Sequence, residues 1–484
     1  MKKNLLLLAG FLMALPVFAA VEVVTKGNGK TYSFQALSKI ENSGVSVENG
    51  SYVVQNNITI ANGDNFILDD NTTIKMGDDI TVRFEGGVDM KLESGTTVTR
   101  NLDNDKPKGF VIASPSPVEC CNLSMEFASM KCVTVSSMNI YECSFKYSNG
   151  AYGGALALGT TGAVFNVKNC EFISNTVPGI SCAANFAVGL TVDGCNFEDN
   201  NSSNTNKPQI NITVGGDKDI IIRNSTFLGA KRNKVGGIGI SNFAGIKGTN
   251  NVFIENNIIK YHRFGIGLTY GEMNVFVKNN MIEENCYEED PMMGGSGISA
   301  QDVTELMALY AEGNTISGNL WGITLIGCKT ANIGKTDDLD AADYNPGKNV
   351  FKNNGNNNIL YDLYNNGPYT VYAQGNTWNV DQQTAEKIET VIFHKADDPK
   401  LGEVFFMPAG TGGVESVSAG KICFNSELKQ IAGLKNIEVV EVYSASGTLV
   451  AKCPVVDGVA VLEKIPEGFY LVNAGKNGIL KVKL

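Results

Sequence analysis

The strongest constraint on this chain is a phrase that keeps returning between Met138 and Trp378. It reads apolar, any, apolar, any, Asn or Gly, then Cys, Ser or Asn, any, and a large apolar residue. The copies are MNIYECSF, FNVKNCEF, LTVDGCNF, IIIRNSTF, VFIENNII, VFVKNNMI, LYAEGNTI and VYAQGNTW, with a degenerate GKNVF before the last. Their sixth residues form a column: Cys143, Cys170, Cys195, Ser225, Asn257, Asn280, Asn314, Asn349 and Asn376, spaced by 23 to 35 residues. Self-similarity at a period of roughly 20–50 residues marks a solenoid, in which each unit buries its apolar face only against its neighbours.

A second phrase, Gly-apolar-any-apolar, precedes the first in most units: GALAL, GISCA, GIGIS, GIGLT, GISAQ and GITLI. Period-two alternation identifies both phrases as half-buried strands. One coil is then two strands, a turn at the Asn/Cys column, and a short third strand carrying Phe or Ile. Coils stacked at ~4.8 Å build parallel sheets, and an inward Asn can hydrogen-bond along the stack to satisfy buried turn backbone. Two positions before the column, outward residues alternate in sign: Lys168, Asp193, Arg223, Glu255, Lys278 and Glu312. That is the pattern of a structural charge ladder. Four positions before it stand Ile221, Phe253, Phe276, Tyr310 and Tyr372. This row reads either as a sugar-stacking platform or as packing beneath a folded-back loop.

Among 484 residues there are 53 Gly and 13 Pro, as many short strands and tight turns require. The formal charge of −11 gives no basic footprint for nucleic acid. Lys2, Lys3 and the run LLLLAGFLMALPVF read as a signal peptide over residues 1–19, so an exported protein is expected. No later run is long and apolar enough for a transmembrane helix. Cys143, Cys170 and Cys195 share the inward column and read as buried thiols, while a disulfide among Cys120, Cys121, Cys132 and Cys286 stays open.

These repeats resemble the right-handed parallel β-helix family of the pectate-lyase-like superfamily, over roughly residues 30–408. The implied fold class is all-β: a right-handed parallel β-helix solenoid followed by a small β-sandwich. The expected division is an N-terminal cap and irregular coils at 20–110, regular coils at 111–408, a linker at 409–419 and the sandwich at 420–484. In that last part Val442, Tyr443 and Gly447, then Gly468, Tyr470 and Val472, then Lys481 and Lys483 are similar to the sorting domain of type IX secretion. The resemblance implies a partner in outer-membrane export machinery, and an extracellular or outer-membrane-surface location.

The outward column of the Gly-Ile strand is small: Ala157, Ser181, Gly239, Gly267, Ser299 and Thr324. A face with no projecting side chains is a groove floor. In polysaccharide lyases of the resembling family, substrate lies along this strand, so a polysaccharide or cell-surface glycan is the expected partner. Loops entering the strand supply the candidates. His262, Arg263, Lys234 and Glu289 would be catalytic, Lys231, Arg232, Tyr261, Tyr287 and Trp321 would bind substrate, and Glu288 with Asp290 would hold a metal such as Ca²⁺. A lyase needs its substrate carboxylate neutralised and a base at the α-carbon, and a glycosidase needs two facing carboxylates. No lyase signature surrounds these residues. The alternatives are a polysaccharide lyase-like or glycoside hydrolase-like enzyme, a binding protein, and a non-catalytic adhesin or structural surface protein.

Overall fold

The computed structural model describes residues 21–133, 136–356 and 359–410, together with 423–425, 429–432, 434, 437–444, 448–456, 458–462, 464–466, 468–475 and 479–483. The segment read as a signal peptide, most of the linker and Gly447 lie outside the described residues. The chain divides after Gly410 into two compact units.

The first unit is a parallel β-helix. Its first sheet stacks 14 strands, from Glu22–Val24 through Ile266–Thr269, Ser296–Gln301 and Trp321–Ile326 to Ile392–Phe393. The second sheet holds the first half of the repeated phrase, as in Val164–Lys168 and Met273–Lys278. The third holds its end, as in Glu171–Ile173 and Met281–Glu283. The coil-to-coil pairings of the repeats are parallel and, apart from a shift between Asn332 and Gly334, in the register of the phrase: Asp193 meets Arg223, Phe253 meets Phe276, and Phe172 meets Phe197.

The two corners flanking the third sheet are built alike. At the first of them, the residue before each column position is left-handed: Asn169, Asn224, Asn256 and Asn279 have φ of 51° to 56°, and Gly194 and Gly313 have 66° and 68°. Asn tolerates this region and Gly enters it freely, which explains the Asn-or-Gly position of the phrase. The next side chain then points inward and meets the neighbouring coil. Nδ2 of Asn257 donates to Oδ1 of Asn280 (3.0 Å), Asn280 to Asn314 (2.9 Å), Asn314 to Asn349 (2.8 Å) and Asn349 to Asn376 (2.9 Å). Each Oδ1 also accepts the backbone N–H of the preceding member, and each Nδ2 also donates to a backbone carbonyl, as Asn314 does to Val277 O. At the other end the ladder continues in sulfur and hydroxyl: Cys195 N donates to Ser225 Oγ (3.1 Å), and Cys170 N to Cys195 Sγ (3.4 Å).

Apolar side chains fill the rest of the bore. Phe145, Phe172, Phe197 and Phe227 stack at 4.7–5.0 Å between centroids, all fully buried. A short helix, Phe34–Leu37, stands near the start of this unit; the hydroxyl of the preceding Ser33 accepts from Ala36 N, and Phe34 and Leu37 are buried. A second short helix, Ala385–Glu389, stands in the closing segment, where His394 holds Val404 N on Nδ1 (2.9 Å) and Glu389 on Nε2 (2.8 Å). The sign alternation forms ion pairs, Arg223 with Asp193 at 2.9 Å and Lys278 with Glu312 at 3.1 Å. Burial works to raise the Asp193 pKa, but Asn224 and Arg223 outweigh it and hold the carboxyl low.

The ten cysteines whose side chains are described are all free, so the disulfide open for Cys120, Cys121, Cys132 and Cys286 is absent. Cys120 Sγ lies 3.7 Å from Cys143 Sγ, a packing contact at the end of the thiol column.

In the second unit the described residues form seven antiparallel strands. Its strand Leu449–Val456 pairs with Val439–Ser444 through residues 449–454 and with Val459–Val461 through residues 455–456, so it passes from one sheet to the other. Ile431, Val440, Val442, Leu462 and Val472 form its core.

Replacing Asn314 by Leu would strand the Asn280 backbone N–H inside the bore, break the ladder on both sides and leave the Asn280 amide only its backbone carbonyls. With each buried unpaired group costing ~1–3 kcal/mol, Asn314→Leu should lower stability by several kcal/mol, whereas Cys195→Ser, which copies the next member of the column, should cost far less. Urea unfolding followed by circular dichroism checks the contrast. Equal losses would mean that the ladder is not what holds the corner.

Candidate functional site

The outward face of the first sheet carries a cleft of about 420 Å³. Its floor is Ser299 and Thr324, neighbours in register, with Gln301 and Ile326 two residues further along the strands, and Gly267 and Thr269 of the preceding coil at its edge. One wall is aromatic. Trp321 stacks on Tyr361 (5.4 Å, 5° between planes), and Tyr364 stacks on Phe393 (4.6 Å, 9°). The loop Pro291–Gly294, whose Met292 is 81 % exposed, also lines the cleft. The loop is tied down at both ends: Trp321 Nε1 donates to Pro291 O (2.8 Å) and Arg263 Nε to Met293 O (2.8 Å). Arg263 also donates to Asn206 Oδ1.

The small column is not an open floor along its whole length. A side chain at Gly267 or Gly236 would run into the Phe264 ring, and one at Gly239 into Pro208. These glycines are there because other residues lie on top of them. The exposed groove begins at Ser299 and runs toward Tyr364.

A second cleft, of about 520 Å³, is lined by Asn204, Lys231, Arg232, Tyr287, Glu288 and Glu289. Lys231 Nζ stands 5.3 Å from the Tyr261 ring centre and 5.6 Å from that of Tyr287, a cation held between two aromatics. Arg232 is committed to Asp199 at 2.7 Å.

The expected site residues therefore do not share one cleft. Lys231, Arg232, Tyr261, Tyr287, Glu288 and Glu289 gather at the second cleft, while Arg263 and Trp321 belong to the first. Lys234 is exposed and lines neither. The Glu288 carboxylate accepts from Asp290 N, and that of Asp290 from Met292 N, so both brace their own loop. Among the described residues, no three His, Cys, Asp or Glu side chains are grouped to hold a metal.

His262 corrects the expectation most sharply. It is fully buried, inside the bore. Five residues after most members of the first ladder stands a second, buried column: Ser148, Asn175, Asn200, His262, Asn285, Asn319 and Asn354, with the exposed Ala230 at the position after Ser225. The residue before this column is again left-handed, as at Tyr147, Ser174, Asp199, Tyr261, Glu284 and Asn353.

The second ladder runs as the first does. Asn175 Nδ2 donates to Asn200 Oδ1, and Asn200 Nδ2 to Gln209 Oε1 (2.8 Å). Gln209 fills the gap left by Ala230 and sets its Nε2 2.7 Å from His262 Nε2. His262 Nδ1 faces Asn285 Oδ1 at 3.1 Å, and Asn285, Asn319, Asn354 and Asp362 continue the chain. Because the Gln209 oxygen is already engaged, its amide presents N–H to the ring. His262 Nε2 therefore accepts, Nδ1 carries the proton, and the ring is neutral. It is a ladder rung and meets no groove. Burial lowers its pKa to about 4, against the smaller upward pull of Asn285. Burial raises that of Asp362 to about 6.

The profile of the family described as "Right handed beta helix region" matches residues 123–316. The solenoid is a right-handed parallel β-helix. Solved structures of the periplasmic alginate epimerase AlgG align with it. An aspartate-to-alanine variant does so at 13 % identity, covering 80 % of this chain and 85 % of that one, with a TM-score of 0.44. A threonine-to-asparagine variant does so at 14 %, covering 78 % and 84 %, with a TM-score of 0.43. No curated protein matches the sequence. Among the described residues, no helix of this β-helix protein is long and apolar enough to cross a membrane.

The His262 shift has a definite sign. Its folded pKa lies below the ordinary 6.5, so the unfolded chain binds the proton first. The stability contributed by the neutral ring is complete above about pH 6.5 and is lost as the pH falls toward 4. Asp362 acts in the opposite sense between pH 6 and 4, so the wild-type curve alone hides the effect. Measured against His262→Gln, the wild type should lose about 3 kcal/mol across that window. Chemical denaturation of both proteins at pH 7, 5.5 and 4 tests it, and parallel curves would remove His262 from the ladder.

Proposed function

We propose that this protein binds a glycan chain along the first-sheet groove, over Ser299 and Thr324 and against the wall of Trp321 and Tyr364, without cleaving it. The carrying observation is the makeup of that cleft: aromatic faces, hydroxyls and amides, with Arg263 its sole charged lining residue among those described. Aromatic faces take the C–H faces of sugars, and a few placed polar groups fix orientation. The described lining contains no carboxylate, whereas glycoside hydrolysis ordinarily takes two. The Arg263 guanidinium is occupied by Met293 O and Asn206, and Tyr364 is held in its neutral form by burial, so neither is a ready base.

Isothermal titration with gluco-, manno- and xylo-oligosaccharides, and with oligouronates, tests the reading. Wild type should bind at least one of them. Ser299→Trp, which fills the floor, should abolish binding, and Trp321→Ala should weaken it by roughly tenfold, about 1.4 kcal/mol. Ultraviolet-absorbing unsaturated products or new reducing ends would overturn the non-catalytic part. Binding that survives Ser299→Trp would overturn the groove.

The same proposal has residues 1–19 directing export and residues 420–484 addressing the protein to the cell surface through type IX secretion. In support, Val439–Ser444, Phe469–Asn473 and Ile479–Lys483, the three segments that carry the sorting resemblance, are adjacent strands of one sheet. In a host with that machinery, deleting 420–484 should leave the solenoid in the periplasm. Surface display of the truncated chain, read by protease shaving, would refute the address.

A further inference from the structure

The outward aromatic row of the second sheet is interrupted at one coil. Phe253 stacks on Phe276 (5.1 Å, 11° between planes) and Phe276 on Tyr310 (5.0 Å, 10°). Two coils further on, Tyr372 stacks on Phe405 (5.7 Å, 27°). The coil between them places Asn332 in register with both tyrosines. Tyr310 and Tyr372 are thus two strand spacings apart, about 9.6 Å, and among the described residues the coil between them puts Asn332, not an aromatic ring, at this position.

The space beside Asn332 is a cleft of about 350 Å³. Tyr310 and Tyr372 form its sides, and Lys329, Asp343, Tyr369 and Thr370 supply a polar rim. Asp343 is fixed by Lys335, whose ammonium stands 4.7 Å from the Tyr372 ring centre. Asn332 is 4 % exposed. Its Nδ2 donates to Asp343 O (2.7 Å), while its buried Oδ1 has no hydrogen-bond partner among the described residues. A buried amide oxygen without a donor is costly, and the described amides of the two ladders are all paired along the stack.

We infer that this gap binds one hexopyranose ring of a glycan, held between Tyr310 and Tyr372 with a hydroxyl donated toward Asn332. The spacing decides the shape. A flat aromatic ligand would leave slack on both sides, whereas a puckered pyranose, with C–H bonds directed at each tyrosine, fills two strand spacings. The rim decides the polarity: a carboxylate, an ammonium and a hydroxyl surround a ring whose edge is all hydroxyl. The loop 336–347, which carries Asp337, Asp338, Asp340 and Asp343, supplies Asp343 to the rim and lies against the same row. The site is on a different sheet from the groove and does not depend on it.

Saturation-transfer difference NMR with methyl glucopyranosides, galactopyranosides and mannopyranosides, using the full chain in a Ser299→Trp background, tests the site apart from the groove. At least one glycoside should show saturation concentrated on its ring C–H protons. Tyr310→Ala and Tyr372→Ala should each reduce the signal at least fivefold. Asn332→Phe, which completes the aromatic row, should abolish it while leaving the far-ultraviolet circular dichroism unchanged. If that variant misfolds, Tyr372→Leu gives the same reading from the exposed side of the row. No saturation with any glycoside overturns the site. So does signal that persists in the Tyr310→Ala, Tyr372→Ala double variant, or a preference for adenosine over every glycoside.

Discussion

The structure depends on how buried backbone is satisfied at two corners of every coil. A solenoid turns its chain sharply inside a bore with no water, and each turn leaves N–H and C=O groups that cost free energy if unpaired. Here the chain answers twice per coil with the same device, a left-handed residue followed by an inward polar side chain. Asn is well suited to the second position because one amide accepts from the coil before and donates to the coil after. The ladders formed by Asn257 to Asn376 and by Asn285 to Asn354 are therefore one solution used at two corners.

The substitutions within the ladders follow from the same demand. Ser225 accepts the Cys195 N–H and passes its own N–H to Asn257, so hydroxyl can replace amide where only one acceptor is needed. Thiols do this less well, at 3.4 Å, but they fill volume beside the phenylalanine stack. His262 is the most instructive case. An imidazole has one donor and one acceptor when neutral, the same pairing a rung requires, and the geometry of Gln209 and Asn285 selects that form. Its low basicity is a consequence of its place in the ladder.

The fold is legible in the sequence because the first ladder, the phenylalanine column and the alternating charges are periodic and close in sequence. Asp193 with Arg223 and Lys278 with Glu312 can be paired from register alone. The second ladder is equally periodic, five residues after the first, but Ala230 and His262 break its spelling. His262 therefore reads as a loop group with chemistry to offer, although its column position marks it as interior. The small column of the first sheet reads as a continuous floor. Sequence cannot show that Phe264 and Pro208 lie over Gly267 and Gly239, because both arrive from loops. Arg263 and Lys231 stand only a coil apart, yet they serve different clefts, since the 286–294 loop passes between their partners.

Coil length varies mainly where the chain leaves the second ladder and enters the first sheet. The passage takes two positions from Asn319 to Trp321 but eleven from Asn285 to Ser296. A corner closed by its own ladder does not need its neighbouring loop for stability, so the loop is free to grow. The long passages are also the ones that form the rims: Pro291–Gly294 walls the groove, and Tyr287 to Glu289 line the cleft beside Lys231. The aromatic row obeys the same logic on the second sheet. Its rings are not needed to hold the coils, which the ladders already fix, so one ring can be replaced by Asn332 without loss of the stack. The clefts of this solenoid thus lie at positions that its corner hydrogen bonds leave unconstrained.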